Sequence, residues 1–526
     1  MKIGRLVLLT VFCLTASVIF LQHNISDEGA YSSVMGDMSD LSREEQGSFY
    51  GVEMGVAGFL GETEYGPIEP RVVGSYAEYE KLYGGYTGRS FLSYSVRCFF
   101  ENGGEKLYIA RVISGTATKA KVKPTSGKKP AITIEARYGG DSGNRIAVKI
   151  SAGTDTTEEA PTIKLEVYWF NYQSYSAAKG KPNPSEANLY EVYDNVSLQD
   201  SSPFNFKNYV NSRSDFILIN LEEGDVGIIP DAKDKLIWCT GGTDGEAPVL
   251  TDYVGHDGLD GNSASGLSAL GKINILSTLY APESYAIEGL DHEMIAQCES
   301  LGDRTVIIDT AFASPTANPW HTHESSYAAC YTPWLAVEGV KGKAIMVPPG
   351  GAIAGTYAKN DVLNGPNQSP INLALQGVNS IERHLSQQEQ DALSIRRINP
   401  IILNKNVGNV ACGGMTLSAL DDEFKTINLR RYTNYLRDSI SEGLGWATGL
   451  TWDEELQSRI KTSIEKFLYQ QWKRGALFGK YQKDTFTVDV NQIIITQNGY
   501  SKPIISIDLN VALVKPNQFI KIKINK

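Results

Sequence analysis

The chain has 526 residues and a formal net charge of -11, with 42% hydrophobic and 21% charged residues. A chain of this length exceeds what one hydrophobic core supports, and we expect about two to four domains. The composition is that of a globular rather than a disordered protein. The acidic balance argues against a nucleic-acid surface, which needs a basic stripe to replace the counterions of the phosphates.

The N-terminus carries an apolar run. Lys2 and Arg5 precede a charge-free, mostly apolar stretch, Leu6–Phe20, a pattern typical of a secretory signal or a short anchor. The stretch is shorter than the roughly 20 residues that span a bilayer. Three interpretations remain: a real signal or anchor, a start codon placed too far upstream, and an arm that inserts into a partner. Residues 27–46 are polar and acidic, so residues 1–46 are predicted to form a leader and a flexible arm.

Residues 47–112 are predicted to begin the folded core in the order strand, helix, helix, strand. Gly55, Gly58 and Gly61 recur in the first strand, but the lysine and hydroxyl of a phosphate-binding loop do not follow them. We therefore expect these glycines to let neighbouring backbones approach closely.

Residues 113–238 are predicted to form a β-rich insertion. Short runs with strand-like alternation, such as AITIEARY and TIKLEVYWF, are separated by Gly, Pro, Ser and Asn. Because the loops are polar and the junctions fall between core elements, the insertion is expected on the surface.

Residues 239–410 return to an alternation of strands and helices, which predicts a central α/β domain with a largely parallel sheet. The predicted strands are 273–278, 304–309 and 343–347. One helix is predicted over 285–301, and the run SSYAACYTPWL is predicted to form another.

Residues 411–526 are predicted to form a C-terminal α+β domain with a helical pair and a terminal strand. Between Asn428 and Gly479 two stretches each carry one apolar stripe at helical spacing. The stripes comprise Leu429, Tyr432, Leu436 and Ile440 in the first helix, and Leu456, Ile460, Ile464, Phe467, Leu468 and Trp472 in the second. Gly475 and Gly479 are expected to end this segment as glycines beyond a helix do.

Four strands are predicted after the helical pair, over 485–490, 492–496, 504–513 and 519–524. The last one alternates apolar and polar side chains at the end of the chain. Such an edge is suited to pairing with another chain. The apolar residues of this predicted inter-subunit strand are Phe519, Ile520, Ile522 and Ile524.

No cluster of residues predicts catalysis, a metal site or a cofactor. His321 and His323 would share one face of a strand, yet no third ligand lies nearby in the sequence, so a polar loop is expected. Neither Ser325 nor Ser326 stands between glycines, as a nucleophile elbow requires.

The six cysteines show neither metal-binding nor disulfide spacing. Most lie in apolar surroundings, so we expect buried, reduced thiols, which fits a reducing compartment.

Three ordered blocks of the sequence resemble one protein family. Gly55–Arg111 holds an apolar G-x-x-G-F-x-G strand, a GP turn, a helix ending in YGG and the run FFENGG. Ser325–Ile401 holds IMVPPGGAIAGTYAKND and RRINPI, and Asn428–Gly479 holds the helical pair. In this order the blocks are similar to contractile tail sheath proteins of myophages and of phage-derived contractile injection systems.

The resemblance implies a multidomain α+β and α/β protein without enzymatic activity. Residues 47–112 and 239–410 would form the sheath core, 113–238 a surface insertion and 411–526 a domain facing an inner tube. The implied function is helical polymerisation around the tube and contraction that drives the tube through a target envelope. The implied partners are further copies of the chain, the tube protein, the baseplate and tail terminator or cap proteins.

The resemblance also favours a tube-facing role for basic residues of the helical pair. The set comprises Arg430, Arg431, Arg437, Lys473 and Arg474. The arginines of the first helix are expected to be exposed, because its opposite side carries the apolar stripe. The alternative interpretation is ordinary ion pairing on the surface.

Two alternatives remain open at this point. The family implies assembly in the cytoplasm, which disagrees with an N-terminal signal or anchor, so membrane association is undecided. The alternative function is that of an exported or membrane-anchored α/β hydrolase.

Overall fold

A computed structural model of the chain describes residues 7–11, 50–124, 132–157, 162–178, 180–197, 199, 201–221, 236–259, 263–314, 323–404, 406–411, 413–419, 423–497 and 500–514. The elements before the insertion are β1 (Val7–Val11), β2 (Val56–Glu62), β3 (Arg71–Val73), α1 (Tyr76–Tyr83), α2 (Leu92–Glu101) and β4 (Lys106–Val112). Those of the insertion are β5 (Lys121–Val122), β6 (Ile132–Ala136), β7 (Ile146–Ala152), β8 (Thr162–Trp169), α3 (Tyr172–Ala177), β9 (Leu189–Ser197), α4 (Phe206–Asn211), β10 (Ile217–Leu221) and β11 (Ile237–Trp238).

The elements of the central part of the chain follow. They are α5 (Leu250–Val254), α6 (Gly266–Leu270), β12 (Thr278–Tyr280), α7 (Leu290–Leu301), β13 (Thr305–Asp309), β14 (Ala328–Thr332), β15 (Leu335–Glu338), β16 (Ala344–Val347), α8 (Gly350–Leu363), β17 (Val378–Ile381), α9 (Gln387–Ile395), β18 (Ile398–Asn404) and β19 (Gly408–Ala411). The last ones are α10 (Ile427–Gly443), α11 (Glu454–Lys473), α12 (Gln482–Thr485), β20 (Phe486–Gln497) and β21 (Tyr500–Val511).

The largest sheet has eight strands in the order β19-β18-β14-β13-β12-β2-β4-β3. Its inner pairs are parallel, and only the outermost strands β3 and β19 run antiparallel to their neighbours. The strand order reverses at β2, since the chain passes from β2 to β4 on one side and later to β12 on the other. This sheet confirms the predicted mixed α/β fold with a large, mostly parallel sheet.

Helices cover both faces of the central sheet. Phe59 and Tyr331 pack into one core with residues of α1, α2 and α8, whereas Leu60 and Cys330 pack into another with residues of α5, α6 and α7. Successive side chains of a strand point to opposite faces, so each strand is apolar on both sides. This explains why the strands read as continuous apolar runs in the sequence.

The residues between β4 and α5 form two small antiparallel sheets, in the orders β10-β6-β5 and β11-β7-β8-β9. Along β8 every second residue is buried, as expected for a strand with one face on a core. Their side chains form a hydrophobic cluster of their own, which includes Leu165, Phe206 and Ile219.

The predicted helical pair is confirmed as α10 and α11, which pack with the long hairpin β20–β21. The cluster includes Leu436, Ile460 and Phe467 of the predicted stripes and Leu509 of the hairpin. Gly475 follows α11 with φ +78, a backbone conformation that favours glycine. The two strands predicted over 485–496 form one continuous strand, β20.

One predicted helix is wrong. The run SSYAACYTPWL contains no helix but the strand β14 and the first residue of β15. β14 is buried on both faces, and a short apolar run without alternation does not distinguish a buried strand from a helix.

The helix predicted over 285–301 is confirmed as α7 but is shorter than predicted. It begins at Leu290, because Gly289 adopts φ +84, which is not a helical conformation.

Two of the three strands predicted in the central part are confirmed. The strand predicted over 304–309 is confirmed as β13, and that over 343–347 as β16. However, β16 lies in a separate antiparallel sheet of order β16-β15-β17, outside the parallel sheet. The strand predicted over 273–278 is represented only by its last residue, where β12 begins.

The termini contain predictions that the structure does not address. The inter-subunit strand with Phe519, Ile520, Ile522 and Ile524 lies outside the described residues, as does the arm over 27–46. Within the apolar N-terminal run, β1 pairs antiparallel with β21, from Val7 opposite Val511 to Val11 opposite Ile507. Among the described residues no helix is both long and apolar enough to cross a bilayer.

Candidate functional site

The contact between α10 and the central sheet brings together most of the basic residues singled out in the sequence. Arg431 donates from Nη1 and Nη2 to the two carboxylate oxygens of Asp361 in α8, at 2.8 and 2.5 Å. Both side chains are 1% exposed. Burial raises the pKa of Asp361, and the neighbouring guanidinium of Arg431 opposes that shift. The two groups form a buried, bidentate ion pair within the chain.

Arg430 is also engaged within the chain. Its Nη2 donates to Ser326 Oγ at 2.7 Å, and its Nη1 donates to the Tyr327 hydroxyl at 3.2 Å. The guanidinium carbon lies 4.2 Å from the ring centroid of Tyr327 and 3.9 Å from that of Phe424. Stacking on two rings and bonding to the segment before β14 together fix its position.

Arg437 and Asn434 complete this face of α10. Arg437 Nη2 donates to the carbonyl oxygen of Leu301 at 2.7 Å and to Asp438 Oδ1 at 3.0 Å. Burial raises the pKa of Asp438 to about 6, although Arg437 lowers it. The side-chain amide of Asn434 lies within hydrogen-bond distance of the carbonyl oxygens of Gly302 and Arg304. One polar face of α10 thus contacts the central part of the chain, and its apolar face contacts α11 and the hairpin.

The exposure predicted for Arg430 and Arg431 is therefore wrong. The helix has two buried faces, and the sequence pattern revealed only the apolar one. A contact of these two side chains with an inner tube is not tested by the structure, but they would first have to leave their partners. The sequence analysis also missed Asp361, although it lies in the run IMVPPGGAIAGTYAKND of the second block.

Lys473 and Arg474, at the C-terminal end of α11, are exposed as expected. Lys473 Nζ lies 5.2 Å from the ring centroid of Tyr469 and 5.3 Å from that of Trp472. Between residues 465 and 484 the exposed charged side chains are Lys466, Lys473, Arg474, Lys480, Lys483 and Asp484. We call the exposed cations of this set, together with Tyr469, Phe478 and Tyr481, the α11 patch.

The histidine-containing loop forms a hydrogen bond with α7 in its described part. His323 Nε2 lies 2.7 Å from Asp291 Oδ2, and the His292 ring lies 5.8 Å from that of His323. His321 lies outside the described residues. In the part of the chain that the structure describes, no group of three His, Cys, Asp or Glu is arranged to hold a metal ion.

The buried thiols predicted from the sequence are confirmed where the structure describes them. Cys98, Cys239, Cys298 and Cys330 are buried and free, while Cys13 and Cys412 lie outside the described residues. Burial raises the pKa of Cys98 and of Cys239 to about 12. These thiols remain protonated at neutral pH.

The close backbone approach predicted for Gly55, Gly58 and Gly61 is confirmed at Gly55, where an added Cβ atom would lie 3.1 Å from the backbone Cα of Ala358. At Gly58 the neighbours are side chains, and an added Cβ atom would lie 2.8 Å from Leu276 Cδ1. At Gly61 it would lie 3.1 Å from Glu283 Oε2. These glycines belong to the packing of the central sheet.

The fold is that of contractile tail sheath proteins. A structure of the helical sheath of the anti-feeding prophage in its contracted state aligns with 96% of this chain and 100% of its own, with a TM-score of 0.52 and 17% identity. A sheath tail protein of Listeria innocua aligns with 87% of this chain and 96% of its own, with a TM-score of 0.59 and 13% identity.

At the sequence level the similarity is local. A tail sheath protein of Vibrio phage KVP40 is 32% identical over 135 residues, which are 25% of this chain and 20% of that protein. No protein-family profile matches the chain. The resemblance to contractile tail sheath proteins found in the three sequence blocks is thereby confirmed, and the solved structures extend it to the fold of nearly the whole chain.

Proposed function

We propose that this chain is the structural subunit of a contractile sheath, which polymerises helically around an inner tube and contracts to drive the tube through a target envelope. The observation that carries the proposal is the agreement in fold with a sheath subunit over 96% of this chain and all of that subunit. Contacts between different surfaces of identical subunits generate a helix when they do not close into a ring.

Contraction in this proposal is a change between two packings of the same subunits rather than a catalytic cycle. The bonds of Arg430, Arg431 and Arg437 tie α10 to the central part of the chain. They support a subunit that moves as one body, so that the contacts between subunits change most.

We assign the contact with the inner tube to the α11 patch, where Lys473 and Arg474 are free to meet a partner of opposite charge. Arg430, Arg431 and Arg437 then have a positioning role, because they orient the helical pair that carries the patch. Further partners in this proposal are the baseplate and the tail terminator or cap proteins.

The division into parts follows the sequence analysis. Residues 47–112 and 239–410 form the sheath core, 113–238 an insertion on the outside of the sleeve, and 411–526 the domain facing the tube. The separate hydrophobic cluster of the insertion supports this division. The terminal strand with Phe519, Ile520, Ile522 and Ile524 joins a neighbouring subunit.

The N-terminal run acts as an arm in this proposal. The pairing of β1 with β21 supports that interpretation, because it shows that part of the run is compatible with a strand at the edge of the hairpin. Assembly takes place in the cytoplasm, and the product is part of a phage tail or injection particle.

The alternative function of an exported hydrolase gains no support from the described serines. Ser325 Oγ donates to Glu299 Oε1 at 2.6 Å, and Ser326 Oγ accepts from Arg430. Within the described ranges neither hydroxyl is paired with a histidine that would act as its base.

Electron microscopy of the concentrated full-length chain, alone and with its tube protein, tests the proposal. We expect hollow helical sleeves. A chain lacking residues 515–526 is the matched control and should stay folded and soluble without forming sleeves. If the full-length chain stays monomeric under both conditions, the proposed function is wrong. If the truncated chain forms normal sleeves, the role of the terminal strand is wrong.

A further inference from the structure

The crevice at the carboxyl ends of the parallel strands is filled by the chain itself. In open α/β sheets ligands bind outside these ends, at the point where the strand order reverses. In this sheet that point lies between β2 and β12. The acidic side chains Glu283, shortly after β12, and Asp309, at the end of β13, are buried there.

Glu283 bonds to the chain just before α2. Its Oε1 accepts from the backbone N–H of Phe91 at 2.7 Å and from Ser90 Oγ at 2.8 Å. α2 has no capping side chain at Phe91 and no acidic residue in its first turn. Glu283 therefore supplies, from a distant segment, a hydrogen-bond acceptor for the N–H groups that a helix leaves unpaired at its start.

Asp309 lies in a similar position toward α8. Tyr280 donates its hydroxyl to Asp309 Oδ2 at 2.7 Å, and the backbone N–H of Gly350, the first residue of α8, faces the same carboxyl. α8 also lacks a capping side chain and an acidic residue in its first turn. A Cβ added at Gly350 would lie 2.1 Å from the Tyr280 ring, so no space for a ligand remains beside it.

Each carboxyl group has one oxygen without a partner. Glu283 Oε2 and Asp309 Oδ1 are buried and form no hydrogen bond with the described residues. Neither group forms a salt bridge within the described part of the chain. A buried carboxylate with an unpaired oxygen is costly when it is ionised, and a proton removes that cost.

We propose that Glu283 and Asp309 are internal carboxyl groups that take the place of a ligand in this crevice, and that proton binding to them controls how firmly α2 and α8 are held on the central sheet. The closed crevice agrees with a structural rather than a ligand-binding role for the α/β core. The proposal does not depend on the sheath function, because it concerns the single subunit.

The electrostatic surroundings support proton binding. Burial raises the pKa of Glu283 to about 7, against the bonds from Phe91 and Ser90, and it raises the pKa of Asp309 to about 7, against those from Tyr280 and Gly350. The titratable groups that face Glu283 are Glu62, Tyr79, Tyr253, Tyr280 and Tyr285, and those that face Asp309 are Tyr280, Tyr285 and Cys330. Glu62 is the one other carboxyl group in this set, and its repulsion adds to the shift of the Glu283 pKa.

The sign of the pH effect follows from the raised values. Both groups have ordinary carboxyl pKa values in the unfolded chain, near 4. Between about pH 4 and about pH 7 the folded chain thus holds protons that the opened chain releases. The stabilisation is complete below the unfolded pKa values and is lost as the pH rises through about 7.

Hydrogen exchange of the α2 and α8 amides in the full-length chain tests the proposal. The exchange rates are first corrected for the intrinsic pH dependence of amide exchange. Between about pH 5 and about pH 7 the opening constant should then rise by up to about tenfold per pH unit for each carboxyl group that loses its proton on opening. Above about pH 7 it should level off. Glu283→Gln keeps the acceptor Oε1 and should remove the rise for α2, and Asp309→Asn should remove it for α8. Glu293→Gln, at an exposed acidic residue of α7, is the matched control.

Chemical rescue adds a readout that a merely structural role would not change. Glu283→Ala leaves the start of α2 without its carboxyl acceptor, so formate should slow the exchange of α2 in this variant and not in Glu283→Gln. If Glu283→Ala does not fold, the pH profile of Glu283→Gln remains decisive. Parallel pH profiles in the wild type, Glu283→Gln and Asp309→Asn would overturn the proposal, as would the absence of any formate effect on a folded Glu283→Ala.

Discussion

Arg431 and Asp361 show how one pair of residues connects two parts of the fold. Both lie in sequence blocks that carry the resemblance to sheath proteins, and the structure joins them by two short hydrogen bonds. Taking two charges out of water is costly, so an ion pair of this kind contributes little net stability compared with an apolar pair. The pair instead fixes how α10 is oriented on α8, because the bidentate geometry allows only one orientation.

Removing one partner of this pair should lower the free energy of unfolding by much more than the intact pair contributes to it. Arg431→Ala leaves Asp361 buried without a counterion, and we expect a loss of about 3–5 kcal/mol in the free energy of unfolding, measured by chemical denaturation. Arg474→Ala, at an exposed arginine, is the control and should stay within about 0.5 kcal/mol of the wild type. Equal stability of the two variants would show that Arg431 is not held as described.

At the scale of elements, the crossing of α2 and α8 depends on glycines in α8. A Cβ atom added at Gly351 would lie 2.6 Å from the carbonyl oxygen of Ser95, and one at Gly355 would lie 2.3 Å from that of Phe99. These two glycines stand four residues apart and therefore on the same face of α8. They let the backbones of the two helices approach closely.

Gly355→Ala has two opposite effects on stability, a gain from helix propensity and a loss from overpacking. Alanine in a helix interior gains about 1 kcal/mol over glycine. Here the added methyl group meets a backbone carbonyl, which does not move easily, and overpacking costs about 1–3 kcal/mol. We expect a net loss in thermal stability, whereas Gly445→Ala, where no atom lies within 4 Å of the added Cβ, should show none. A more stable Gly355→Ala variant would contradict the close crossing.

The elements also show what the sequence predicts well and what it does not. α10 and α11 were predicted closely because each is long and carries a regular apolar stripe. β14 was mistaken for a helix because a strand buried on both faces has no alternation. The two strands predicted in place of β20 reflect local turn signals that the twelve-residue pairing with β21 overrides.

The candidate site was predicted in part, for a physical reason. Lys473 and Arg474 follow the simple rule that charged residues at a helix end are solvated. Arg430 and Arg431 break that rule because a second surface, formed by α8 and the segment before β14, covers the polar face of α10. Asp361, the partner that makes this burial tolerable, is separated by 70 residues in the chain, and a single sequence does not reveal such pairs.

At the scale of the whole molecule, the proposed sleeve requires that the cations of the α11 patch contact acidic groups on the inner tube. Lys473→Glu combined with Arg474→Glu should weaken co-sedimentation with tubes at least tenfold, and the wild-type interaction should weaken with rising salt, because screening shortens the range of exposed charges. The free energy of unfolding should change by less than about 0.5 kcal/mol, since both residues are exposed.

A matched control for this prediction is Lys461→Glu combined with Lys343→Glu, at two exposed lysines outside the patch. These variants should bind tubes as the wild type does. If the double variant at Lys473 and Arg474 binds tubes normally at low salt, the tube contact lies elsewhere on the chain.

The four buried cysteines have a practical consequence for watching the molecule at work. Thiol reagents attack the thiolate, and Cys98, Cys239, Cys298 and Cys330 are shielded and protonated. A cysteine introduced at an exposed position, such as Glu454, would therefore react far faster than these four. Paired fluorescent labels attached there would report the spacing of neighbouring subunits before and after the proposed contraction, in real time and without disturbing the core.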